Sequence, residues 1–216
     1  MELSWFRQPG ADHPGTLNLC YNAVDLQVVR GVADAPALRS GADELSFEVL
    51  LEQVAALAGA MRALGAGPET AVGVLLDDPT DRILLLLACL RLGAVHVELS
   101  ASGAASEVDR HRPHLVATSR PLEYAAHAPA ACLVRGVPVQ DDRRDVDWEI
   151  ATKAGRTDPA PCAELSPGST AYVVAGREVT IAAATEDSSW AGRVCATLGA
   201  GRTMDVAVDL DEEDLA

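Results

Sequence analysis

Few residues in this sequence have the types and spacing that perform chemistry. His111 and His114, in the run HRPH, lie three apart, a separation at which two imidazoles can share a metal ion. Pro113 stands between them and breaks a helix there, and no nearby cysteine or third histidine completes a set, so no metal site is expected. Cys20, Cys89, Cys132, Cys162 and Cys195 are odd in number, scattered and without a C-x-x-C pair. That argues against a disulfide framework and against zinc, and reads as buried thiols in a reducing compartment. His96 falls within an apolar run and is expected to be a hydrogen-bonded core histidine. No G-x-S-x-G nucleophile signature occurs, and LSPGST at 165–170 lacks the spacing of a Walker phosphate loop. Trp5, Phe6 and Trp148 read as core or seam aromatics. No catalytic residue is assigned from these patterns.

The elements that would position a site follow from hydrophobic period. LCYNAVDLQVVRG places Leu19, Ala23, Leu26 and Val29 at helical spacing before Gly31. From Ser46, a plausible N-cap, Leu50, Val54, Leu57, Met61 and Leu64 recur every three or four residues up to Gly65. AVGVLLD at 71–77 reads as a strand, Asp78 and Pro79 as the cap and first position of a helix ending at Gly93, and AVHVEL from Ala94 as the next strand. A loop of small polar residues, a short helix around Ala105 to His111, and strands near HLVAT and ACLVR follow, with another short helix around DVDWEIATKAG. AYVVAGREVTIAAA gives two β-type runs around a two-residue turn at Gly176-Arg177. A helix capped by Ser188 and ending at Gly199, a final strand MDVAVDL and a frayed acidic end complete the chain. Strands alternating with helices, and runs apolar on both faces, predict an α/β fold: a doubly wound, mostly parallel sheet flanked by helices.

Charge narrows the partners. With 17 Lys and Arg against 32 Asp and Glu the chain carries a net charge of -15, which repels phosphate backbones and anionic lipid alike. Neither nucleic acid nor a membrane surface is expected as a partner. MELSWFRQPG has no basic segment followed by an apolar one, and no apolar run approaches the ~20 residues of a spanning helix, so a cytoplasmic location is expected.

The opening WFRQPGADHPGTLNLCYNAVD, with W-F and then L-N-x-C-Y-N-A-x-D, resembles the start of acetyl- and especially propionyl-CoA synthetases, adenylate-forming members of the AMP-binding superfamily. LSFEVLLEQVAALAGAMRALGAGPETAVGVLL is similar to that family's T-Y-x-E-L helix and following strand, and ACLRLGAVHVEL to its A-x-x-R-x-G-A-V-H. DVDW and PAPCAEL look like the segment leading to its phosphate-binding loop. The match is good from Trp5 to about Thr118 and thin afterwards. It implies the first lobe of the synthetase N-terminal domain: a lead-in segment with a helix over 1–44, a truncated AMP-binding-like α/β domain over 45–208 and an acidic tail over 209–216.

The resemblance also implies a two-step reaction, in which a short carboxylate attacks ATP to give an acyl-adenylate and coenzyme A then takes the acyl group. Pyrophosphate departure needs preorganised donors and a cation, which the family supplies with a T-S-G-T-T-G-x-P-K loop. Here Tyr172-Val173-Val174-Ala175 runs into Gly176-Arg177-Glu178 without the Thr/Ser cluster or the lysine. Gly176 and Arg177 mark the vestigial phosphate-loop position, and Glu178 opposes the charge of Arg177. Where the family has Phe-Gly-Gly beside the coenzyme A arm, this chain has Ser100, Ala101 and Ser102, whose Cβ atoms intrude on a close approach. The sequence given ends before the family's adenine-contacting segment, ribose-binding aspartate and C-terminal catalytic lysine, so none is carried over.

The expectation is a pseudoenzyme: a non-catalytic acyl-CoA-synthetase-like binding or regulatory module, with a protein partner or a second copy covering faces that the family's lobe buries elsewhere. The alternative is residual acetate- or propionate-CoA ligase activity with parts supplied in trans. ATP, AMP or coenzyme A would be cofactors only in that case.

Overall fold

In the computed structural model, which describes residues 3–210, the first helical pattern folds as two short pieces. Tyr21–Asp25 is a π-helical turn and Leu26–Val29 a single α-turn, α1. Buried side-chain amides account for the break. Asn22 Nδ2 donates to the Asn18 and Ser4 carbonyls, and Gln27 Nε2 to those of Asn22 and Gly199, so donors outside the ladder claim its carbonyls. Leu19 and Ala23 are buried as the spacing implies, whereas Val29 is 72% exposed and lies off the apolar face. Gly31 closes the turn at φ +85°.

Strands β1 (Pro36–Ser40) and β2 (Asp43–Ser46) form an antiparallel hairpin that the sequence reading passed over. It leads directly into α2 (Phe47–Ala63), whose N-cap Ser46 accepts the Val49 N–H at 3.3 Å. Leu50, Val54, Leu57 and Met61 form its buried stripe. Next come β3 (Ala71–Leu75) and α3 (Pro79–Leu92), where the Asp78 carboxylate accepts the Asp81 N–H at 2.9 Å, Pro79 opens the first turn and Gly93 ends the helix at φ +76°. Strand β4 (Val95–Glu98), α4 (Ala104–His111) and β5 (Leu115–Thr118) continue the alternation. Then follow β6 (Ala131–Val134), β7 (Asp145–Asp147) and α5 (Trp148–Gly155), capped by Asp147.

In the last quarter β8 (Thr170–Val174) and β9 (Arg177–Thr180) pair antiparallel. Val174 faces Arg177, so the turn is Ala175-Gly176, one residue earlier than predicted; both take positive φ, +50° and +71°, as a two-residue hairpin turn requires. Helix α6 (Trp190–Gly199) starts one residue later than predicted, because the hydroxyl of Ser189 rather than Ser188 accepts the Gly192 N–H. The predicted last strand is mostly helical: only β10 (Met204–Asp205) is extended, and α7 (Val206–Asp209) follows. β10 pairs parallel with β1, outside the main sheet. The acidic end beyond Leu210 lies outside the described residues.

The main sheet has the order β7-β6-β5-β3-β4-β8-β9, parallel throughout except for β8 with β9. Alternate residues serve its two faces. Val72, Val74, Leu115, Ala117, Leu133, Tyr172 and Val174 enter the larger core, which contains the apolar faces of α2, α3, α5 and α6. Val97, Val116, Cys132 and Val173 join a smaller cluster on the opposite face, formed with Ala104 and Val108 of α4 and flanked by Leu122 and Tyr124. Chain direction after β3 and after β5 diverges, β3 leading to β4 on one side and β5 to β6 on the other. Such a reversal leaves a crevice outside the carboxyl ends of the strands, where α/β sheets bind ligands.

Candidate functional site

A cavity of about 230 Å³ lies at those carboxyl ends, walled by the residues after β3, β4 and β5 and by the β8–β9 turn. Ser100, Ala101 and Gly176, from the two loops that sequence reasoning singled out, line it together. Ser102 and Arg177 do not share that wall. Arg177 instead sits at the start of β9, where it pairs with Asp187 rather than meeting an opposing Glu178. Glu178 accepts a hydrogen bond from the Thr170 hydroxyl across the hairpin. Asp187 also accepts the Tyr172 hydroxyl at 3.0 Å; burial would raise its pKa, but the Ser189, Arg177 and Tyr172 donors outweigh that and hold it below the ordinary carboxylate value.

The centre of the cavity wall is Glu98, the last residue of β4. Its carboxylate pairs with Arg82 of α3 and accepts the Trp190 indole N–H at 2.9 Å, and the backbone of Ala175 favours its charged form. The Arg82 guanidinium also stacks over the Trp190 ring at 5.3 Å. Burial raises the Glu98 pKa, and the neighbouring Arg82 charge opposes that rise. One carboxylate therefore ties together α3, β4 and α6.

A second carboxylate closes the Ser100 loop. Glu107 of α4 accepts the Ser100 N–H at 2.7 Å and its hydroxyl at 3.1 Å, while the Ser100 Oγ accepts the Gly103 N–H at 3.1 Å. A third, Asp77, is bound by Arg120 at 2.7 Å and by the Ser119 hydroxyl at 2.9 Å, contacts that lower its pKa. Backbone N–H groups at such a crevice are the usual anion donors. Here the Ser100 amide is engaged by the chain's own Glu107. Arg82 and Arg120, on the same wall, offset the charges of Glu98 and Asp77. Glu98, Glu107 and Arg82 were not picked out from sequence; a glutamate closing an apolar strand was the one signal pointing to Glu98.

His96, one pleat along from Glu98, is fully buried, and neither ring nitrogen has a hydrogen-bond partner, contrary to the expectation of a hydrogen-bonded core histidine. It packs edge-to-face on Trp190 with centroids 5.6 Å apart. Burial, with the Arg82 charge nearby, lowers its pKa from 6.5 to about 3. Of the HRPH pair, His114 places Nε2 3.1 Å from the Leu64 carbonyl, and Arg112 leaves α4 in the left-handed conformation. Among the described residues the group with ligand types and spacing is Cys20, Asp25 and Cys162, drawn together from distant positions. The Arg91 guanidinium, 2.8 Å from Asp25, already supplies a positive charge there.

Residues 26–174 match the family of AMP-binding enzymes. An uncharacterised protein of Pseudomonas aeruginosa is 32% identical over 185 residues, covering 71% of this chain and 30% of that protein. Mitochondrial acyl-CoA synthetase short-chain family member 3 of Mus musculus is 28% identical over 179 residues, 68% of this chain and 25% of its own. Acetyl-coenzyme A synthetase 1 of Candida albicans is 38% identical over 103 residues, 44% of this chain and 15% of its own. The chain spans less than a third of the length of each of these relatives. Among the described residues no helix is long and apolar enough to cross a membrane.

Proposed function

The chain belongs to the family of AMP-binding enzymes, and on that premise we propose that it is a non-catalytic, acyl-CoA-synthetase-like module that binds or regulates a protein partner in the cytoplasm. The observation that carries this reading is the engagement of the Ser100 loop by an internal carboxylate: Glu107 takes both the Ser100 amide and its hydroxyl. An adenylate-forming site has to present such donors to a departing pyrophosphate, and each donor lost typically removes about 3 kcal/mol of transition-state stabilisation. The five cysteines, all free thiols, suit a reducing compartment.

The rival reading, residual short-chain acyl-CoA ligase activity with parts supplied in trans, draws on the meeting of Ser100, Ala101 and Gly176 in one cavity. Acetate- or propionate-dependent exchange between ATP and pyrophosphate separates the two. The purified chain is expected to give no exchange above buffer; clear turnover, alone or on adding an AMP-binding family partner, defeats the non-catalytic reading.

A further inference from the structure

Cys20 and Cys162 are far apart in sequence and are held together by backbone. Leu17 and Leu165 exchange both of their hydrogen bonds, at 3.0 and 3.1 Å, as an antiparallel bridge. Cys20 lies three residues after Leu17 and Cys162 three before Leu165, so the bridge directs the two cysteines toward each other. Buried Asn18 fastens the same junction, donating to the Ala163, Leu90 and Arg91 carbonyls. The two sulfurs and the Asp25 carboxylate lie within 4.8 Å of one another. The Cys162 thiol donates to Asp25 at 3.8 Å, and Arg91 Nη1 lies 3.8 Å from the Cys20 sulfur. Cys20 is fully buried, while Cys162 is partly open to solvent.

We infer that Cys20 and Cys162 form a thiol–disulfide pair that closes on contact with a small-molecule disulfide such as oxidised glutathione. Each group has a place in the exchange. Cys162 loses its proton to solvent base at raised pH, and its thiolate attacks one sulfur of the oxidant, breaking that S–S bond and releasing one thiolate. Cys20, beside Arg91, then attacks the Cys162 sulfur as its thiolate and displaces the second, and the two protons end on the two released thiols. Two protein thiols are oxidised and one small disulfide is reduced. The Cys20 contact, burial and the Asp25 carboxylate hold the Cys162 thiol well above the ordinary thiol value, so closure quickens as pH rises. Cys89, Cys132 and Cys195 are buried elsewhere and serve as internal controls.

The test treats the reduced chain with oxidised glutathione at about pH 8 and follows intact mass and non-reduced peptide maps. The expected result is a loss of about 2 Da, a Cys20–Cys162 linked peptide reversible by dithiothreitol, and a melting temperature raised by roughly 5 °C or more. Cys20→Ser should arrest at a glutathione adduct on Cys162. Persistent glutathione on wild-type Cys162, a link between any other pair, or an unchanged mass overturns the inference.

Discussion

A buried imidazole without a partner has a calculable effect on stability. His96 stays neutral in the folded chain down to about pH 3, whereas its unfolded value is near 6.5. Between those limits the unfolded state binds the additional proton, so the stability that His96 contributes is complete above pH 6.5 and is lost as pH falls toward 3. The slope for one proton is roughly 1.4 kcal/mol per pH unit. Denaturant titrations from neutral to mildly acidic pH should show His96→Phe losing less stability than the native chain over this window; parallel curves would show that His96 is not the group responsible. Contrast with Glu98, two residues on, shows how neighbours decide. Both side chains face α3 and α6, but Glu98 meets Arg82 and the Trp190 N–H, while His96 meets the Trp190 ring.

Among the elements, those with a strong local signal were legible in sequence: α2 with its Ser46 cap, and α3 with Asp78-Pro79 at one end and Gly93 at the other. Caps and 3.6-residue stripes are local, so tertiary contacts had little to override. The β1–β2 hairpin was missed because PALRS and DELS carry few β-branched residues; the parallel bond of β1 to β10, more than 160 residues away, helps hold it. Crossing of α2 and α5 is another non-local fact. A Cβ on Gly155 would lie 2.0 Å from the Ala56 carbonyl oxygen, so only glycine allows these helices to approach so closely. Gly155→Ala should cost about 3 kcal/mol and lower the melting temperature by roughly 6–12 °C, whereas Gly67→Ala, which meets nothing within 4 Å, should change it little. Equal melting temperatures for the two variants would contradict the close crossing.

For the whole molecule, the sheet's two faces differ in cover, and α4 with the segment near Leu122 and Tyr124 flanks the smaller cluster. If the chain works with a partner, native mass spectrometry of the chain taken from its own cells should report a complex of defined stoichiometry, with a second copy or another protein. A bare monomer under those conditions would count against the partner. The sequence by itself determined the α/β alternation, the helix caps and the departure of the two candidate loops from the acyl-CoA synthetase pattern, because these are written in period, composition and neighbouring residues. Only the tertiary structure decided that Glu107 occupies the Ser100 amide, that Glu98 meets Arg82 and Trp190, that Arg177 turns to Asp187, and that Cys20 meets Cys162. Each joins residues on different elements, and their meeting depends on sheet order and backbone bridges that local pattern does not encode.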